Sequence, residues 1–276
     1  MKIDGEEMRP GMTLFQPDLS GADLRGVDLS GSSLYMPSLD NADLSGANLS
    51  DVFFQGEPMP GSHFSESFYS PNLCRANLRN ANLSGSRLKK ANLEYADLTA
   101  ANLSGARLSG TSFQGATLRN AVFYGADLCG ADLTASDLSG VRLRGAQLHG
   151  ANLTGADLRQ VDLDGVDLSG ANLTAANLCG MEIRGESGTL FVGANLTGAN
   201  LSACKLVYPN FDGADLTGAN LSDANLEDPE YAIKEEEVFM HSADFSNANL
   251  RGANLQGAQL CCRFEGTIMP DGTINS

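Results

Sequence analysis

Hydrophobic side chains return along this chain every five residues. The unit is a small residue, Asn or Asp, a central Leu or Phe, a short polar or basic residue, then Gly. Ala22-Asp23-Leu24-Arg25-Gly26 and Ala151-Asn152-Leu153-Thr154-Gly155 are examples. Counted on the central residue, unbroken registers run over positions 14–54, 68–183, 191–226 and 245–260, together 45 repeats, or 225 of 276 residues. A period of five fits neither the 3.6 of a helix nor the alternation of a flat strand. It predicts a chain that takes a short extended step, turns a corner and repeats. The central Leu and the small residue two before it point inward. Gly suits a corner with unusual backbone angles, and Asn or Asp before the Leu can hydrogen-bond local backbone there.

This motif resembles the pentapeptide-repeat family, over more than four-fifths of the chain. The resemblance implies an all-β, right-handed quadrilateral parallel β-helix, a solenoid with four repeats in each coil. On that basis the chain makes about eleven coils, a rod of about 50 Å at roughly 4.8 Å per coil. Each buried Leu then contributes on the order of 1.5–3 kcal/mol. The expected organisation is an N-terminal cap over 1–13, the β-helix over 14–262 and a C-terminal cap or tail over 263–276. The helix is interrupted at 57–65, 186–188 and 229–242. Long insertions on a rigid scaffold are where function tends to sit. The ending Gly-Thr-Ile-Met-Pro-Asp-Gly-Thr-Ile-Asn is similar to that of cyanobacterial family members.

Composition changes this picture little, but charge does. The net charge of −16 is divided as −8 over 1–66, zero over 67–188 and −8 over 189–276. No stretch approaches a membrane-spanning run, and the first residues show no secretion signal. The six cysteines lack CxxC spacing, so free thiols in the cytoplasm are expected.

Catalytic and metal chemistry finds little support. With residues 20 apart stacked on one wall, Cys129 and His149 share a column beside Asp127 and Asp167. A Cys-His-Asp set is a nucleophile in principle, but a flat solvated wall supplies no oxyanion donors and too few metal ligands. No enzyme, cofactor or metal is expected. The column Thr134, Thr154, Thr174, Thr197 and Thr217 is an ordinary use of Thr at that place rather than an ice-binding plane.

Two surface features invite binding. Residues 67–120 carry a net +5, with Arg87, Lys89, Lys90 and Arg107 on one face. Nucleic-acid binding would need a longer basic stripe. Val122, Tyr124, Arg142 and Arg144 form a second patch, in which outward Val and Tyr break the polar rule and Tyr with Arg has hot-spot composition. Tyr231 and Phe239 of the largest insertion complete the candidate partner-binding set. The leading expectation is a non-enzymatic scaffold or regulator binding a protein partner, with no direct nucleic-acid or membrane partner, as a monomer or end-to-end homodimer. The alternatives are a DNA-mimicking modulator of type II topoisomerase (gyrase), as the resemblance allows, and a passive structural rod.

Overall fold

A computed structural model describes residues 2–3, 6–55, 70–159, 161–183, 190–206, 209–226, 243–258 and 262–275. They fall into two compact units, Met1–Arg142 and Leu143–Ser276. The strands are short because each step between corners is short. They are β1 (Lys2–Ile3), β2 (Glu6–Glu7), β3 (Thr13–Phe15), β4 (Ser33–Tyr35), β5 (Phe53–Gln55), β6 (Glu182–Ile183), β7 (Lys205–Leu206), β8 (Ala243–Asp244), β9 (Cys262–Arg263), β10 (Thr267–Ile268) and β11 (Ile274–Asn275).

The local geometry follows from the motif. The Leu103 carbonyl accepts from the Ala106 N–H at 3.1 Å, closing a turn whose third residue, Gly105, has φ +65°. A positive φ there is what a type II turn demands. Before the corner, Asn102 Oδ1 accepts from the Ser104 N–H and hydroxyl at 3.1 and 2.7 Å. Between corners the backbone bonds to the coils on either side. Leu83 N–H donates to Asn102 O at 2.7 Å, and Asn102 N–H to Ala81 O at 2.9 Å. In a regular coil four such parallel bridges, as from Asn72, Asn77, Asn82 and Arg87, make four walls.

Stacking places Leu or Phe and the small residue in columns along the axis, where both are buried. In unit 1 the parallel sheet β3-β4-β5 starts one wall, and bridges from Phe53 to Arg87 and Arg107 continue it. Neighbouring coils are normally 20 residues apart, as for Asn82 and Asn102, but Asn48 and Asn82 are separated by 34. The coil crossing 56–69 thus holds fourteen extra residues without breaking the stack.

Unit 2 shows the same device twice. Asn177 and Asn200 are separated by 23 residues, and Asn220 and Asn254 by 34. Its core carries a column of phenylalanines. Phe191, Phe211 and Phe245 stack at 4.8 Å per step, and Phe264 continues the stack at 5.6 Å. Beyond Phe264, Thr267 is buried with its hydroxyl donating to Phe245 O at 2.6 Å, and β10 turns back antiparallel onto β11.

Candidate protein-binding walls

The four walls of unit 1 are chemically different. Outward positions flank each central Leu, so a wall is read from the columns on either side of it. The first wall carries Asp18, Ser38, Asn72, Asn92, Ser112 and Asp132 in its bridging column.

The second wall carries Asp23, Asp43, Asn77, Asp97, Thr117 and Asp137. Its acid is neutralised from within. Arg25 pairs with Asp23 at 2.7 Å, Arg79 with Asp97 at 3.0 Å, and Arg119 with Asp137. The side-chain hydrogen bond from Arg25, helped by its backbone N–H, lowers the Asp23 pKa to about 2. Bonds from the Ser139 hydroxyl and then from Arg119 hold Asp137 below the usual carboxylate range against partial burial. Partial burial pushes Asp97 upward, and bonds from Thr99 and Arg79 more than offset it.

On the third wall the Asn48, Asn82 and Asn102 side-chain amides bond one to the next at 3.2 and 3.3 Å. This uncharged ladder then meets Val122 and Arg142, which are bridged to it in sequence. Tyr124 stands beside them, 43% exposed. The structure therefore brings Val122, Tyr124 and Arg142 together. Arg144 lies in unit 2, where its Nε is 3.9 Å from Asp164. Tyr231 and Phe239 lie outside the described residues.

The fourth wall carries Arg87, Lys89 and Arg107 of the basic face expected from the sequence, but its aromatic half was not marked there. Phe15, 56% exposed, stacks on Tyr35 at 5.0 Å, and Tyr35 meets Phe53 edge-on at 6.4 Å. The Arg87 guanidinium then lies 5.2 Å from the Phe53 ring centre, a cation–π contact. Arg107 is bridged next in the column, with Lys89 alongside, and Asp127 ends it. The signal was available: Phe15 and Tyr35 follow Leu14 and Leu34, twenty positions apart. A separate aromatic sits at a corner, where exposed Tyr95 lies under Arg75 at 5.8 Å.

Of the other candidates, Asp127 and Cys129 lie in unit 1 and His149 and Asp167 in unit 2. Asp127 is engaged by the Ser109 hydroxyl at 2.6 Å and the Cys129 N–H at 3.1 Å. Thr154, Thr174 and Thr217 turn their hydroxyls onto the Asn or Asp two residues before. Among the described residues no group of three or more His, Cys, Asp or Glu is placed to hold a metal ion. No helix there is long and apolar enough to cross a membrane.

The pentapeptide-repeat family model matches the chain in eight copies over 14–51, 72–105, 96–134, 106–145, 142–180, 188–228 and 238–261. The chain belongs to the pentapeptide-repeat family. Its fold is the right-handed parallel β-helix of that family. Among solved structures it is similar to HetL, a pentapeptide repeat protein involved in heterocyst differentiation regulation in the cyanobacterium Nostoc sp. strain PCC 7120. That match has 30% identity over 96% of this chain and 92% of that one, with a TM-score of 0.38. Full-length QnrB1, a plasmid-mediated fluoroquinolone resistance protein, matches at 18% identity over 91% and 92%, with a TM-score of 0.40. Rfr23 from the cyanobacterium Cyanothece 51142 matches at 24% over 50% of this chain and 80% of that one, with a TM-score of 0.28. No curated protein sequence matches the chain.

Proposed function

We propose that this protein is a non-catalytic cytoplasmic scaffold or regulator that binds a protein partner through a wall of its β-helix, with the segment over 229–242 as a second contact. One observation carries this reading. Walls otherwise made of short Asn, Asp, Ser and Thr side chains present outward aromatic, apolar and basic residues, above all Val122, Tyr124 and Arg142. The coil needs none of them for its own turns, and aromatic side chains with Arg are the composition of interface hot spots. The competing DNA-mimic reading needs a line of unpaired anions comparable to duplex phosphate. The second wall spends Asp23, Asp97 and Asp137 on its own arginines instead.

The test is capture of a partner from native lysate by the intact protein, by a Tyr124→Ser variant and by protein lacking 229–242. Specific retention by the intact bait, lost in one of the two variants, is the expected result. No specific protein on any bait removes the reading. Gyrase supercoiling altered at micromolar protein would favour the mimic.

A further inference from the structure

We infer that the fourth wall of unit 1, from Phe15 to Arg107, is a docking surface for an extended acidic peptide segment that carries an aromatic or apolar anchor and belongs to another protein. The inference deepens the reading of a protein-binding scaffold, rests on it, and places a distinct contact on a wall other than that of Tyr124.

Charge supplies the first argument. The second wall pairs Arg79 and Arg119 with aspartates of the next coil and Arg25 with Asp23 of its own repeat, so this fold readily neutralises an arginine when a carboxylate is set within reach. Arg87 and Arg107 are treated otherwise. They are direct bridge partners, like charges facing each other across one coil step. Asp127 follows Arg107 in the column, but its carboxylate is engaged by the Ser109 hydroxyl and the Cys129 N–H, and neither arginine forms an ion pair among the described residues. Like charges placed opposite on neighbouring strands destabilise the pair. Lys89 adds a third positive charge to this wall, within electrostatic reach of Asp127. An incoming carboxylate relieves this repulsion, and a cationic segment worsens it.

The aromatic rings supply the second argument. Phe15, Tyr35 and Phe53 stack outside the core, where the same packing inside would stabilise the protein more. One face of Phe15 lies on Tyr35, and the residue stays more than half exposed. A partner's apolar side chain seated there covers ring surface now in water. The column from Phe15 to Arg107 covers four coil steps, about 19 Å at roughly 4.8 Å each, the length of about six extended residues. The wall thus orders its ligand, with an apolar residue at the Phe15 end and carboxylates at the Arg87–Arg107 end.

The test is fluorescence polarisation on the full-length protein. The probe is a labelled peptide of about eight residues, long enough to cover the wall, with one Phe followed by a run of Glu. Saturable binding is expected. Arg107→Glu with Lys89→Glu should weaken it about tenfold and Phe15→Ser about threefold, while Tyr95→Ser, at an exposed corner outside this wall, leaves it unchanged. These side chains are exposed, so melting should not move; Arg107→Gln substitutes if the double charge reversal alters it. The inference is overturned by absence of saturable binding, or by equal affinity in the fourth-wall variants. A labelled oligothymidylate or an anionic phosphatidylserine vesicle that binds more tightly than the peptide and displaces it also overturns it. If lysate capture survives in the fourth-wall variants while the peptide does not bind, this inference falls and the scaffold reading stands.

Discussion

Each unit contains a column of aromatic rings built by the same repeat, one facing in and one facing out. In unit 2, Phe191, Phe211 and Phe245 stack at 4.8 Å within the core and are buried to 1% exposure or less. In unit 1, Phe15 and Tyr35 stack at nearly the same spacing, 5.0 Å, but on the outer surface. Coil spacing sets both distances. What separates the columns is position in the five-residue unit. The inner rings replace the central Leu, and the outer ones stand beside it. The inner column is therefore a device for stability. The outer one contributes little to stability and leaves ring surface available to a partner.

The sharpest way to break this comparison is to truncate both columns. Phe211→Ala should cost about 3–5 kcal/mol, because neighbouring coils cannot close the cavity. Chemical denaturation measures that loss, and amide exchange should concentrate it in adjacent coils, since each coil touches only its neighbours. An effect no larger than that of a surface change would show that the inner stack is not structural.

The amide column falls between the two aromatic ones. Asn102 serves the corner and the preceding coil together, through bonds to Ser104 and Asn82. Asn102→Ala should cost about 1 kcal/mol by the same denaturation measurement, with the corner N–H left to water. A loss as large as that of Phe211→Ala would mean that the walls, not the axis, hold the coil together.

Phe15→Ser should change stability by no more than about 0.5 kcal/mol, as exposed substitutions do. A drop above about 2 kcal/mol would place Phe15 in the structural class and end its separation from the inner column.

The smallest effect expected is electrostatic. Asp23 has a folded-state pKa of about 2, below its unfolded value, so its contribution is present at neutral pH and is lost as pH falls toward 2. Arg25→Ala should bring that pKa back toward about 3.9, read by carboxyl NMR titration. An unchanged value would mean that Arg25 does not hold the carboxylate.

Much of this architecture could be read before the structure was known. The period of five locates the buried columns, the Gly corners and the Asn and Asp side chains that bond them. The three positions added between Asn177 and Asn200 are visible as a break of phase. The outer aromatic wall escaped for a definite reason. Phe15, Tyr35 and Phe53 belong to the short first register, and Phe53 precedes its central residue whereas Phe15 and Tyr35 follow theirs, so no single twenty-residue spacing links all three. The 34-residue coil also separates them in sequence from Arg87, their neighbour in space. Val122, Tyr124 and Arg142 stand inside the long register, and their adjacency is legible from the twenty-residue spacing. Arg144 shares their sequence spacing but belongs to the second compact unit, a division that periodicity does not reveal.

The central claim is that outward departures from the repeat serve recognition while inward ones serve stability. Partner capture and thermal melting of a Phe15→Ser, Tyr124→Ser double variant, run beside the parent protein, test it most directly. The account predicts an unchanged melting temperature together with loss of the captured partner. A variant that melts earlier, or one that holds the partner as the parent does, would contradict it.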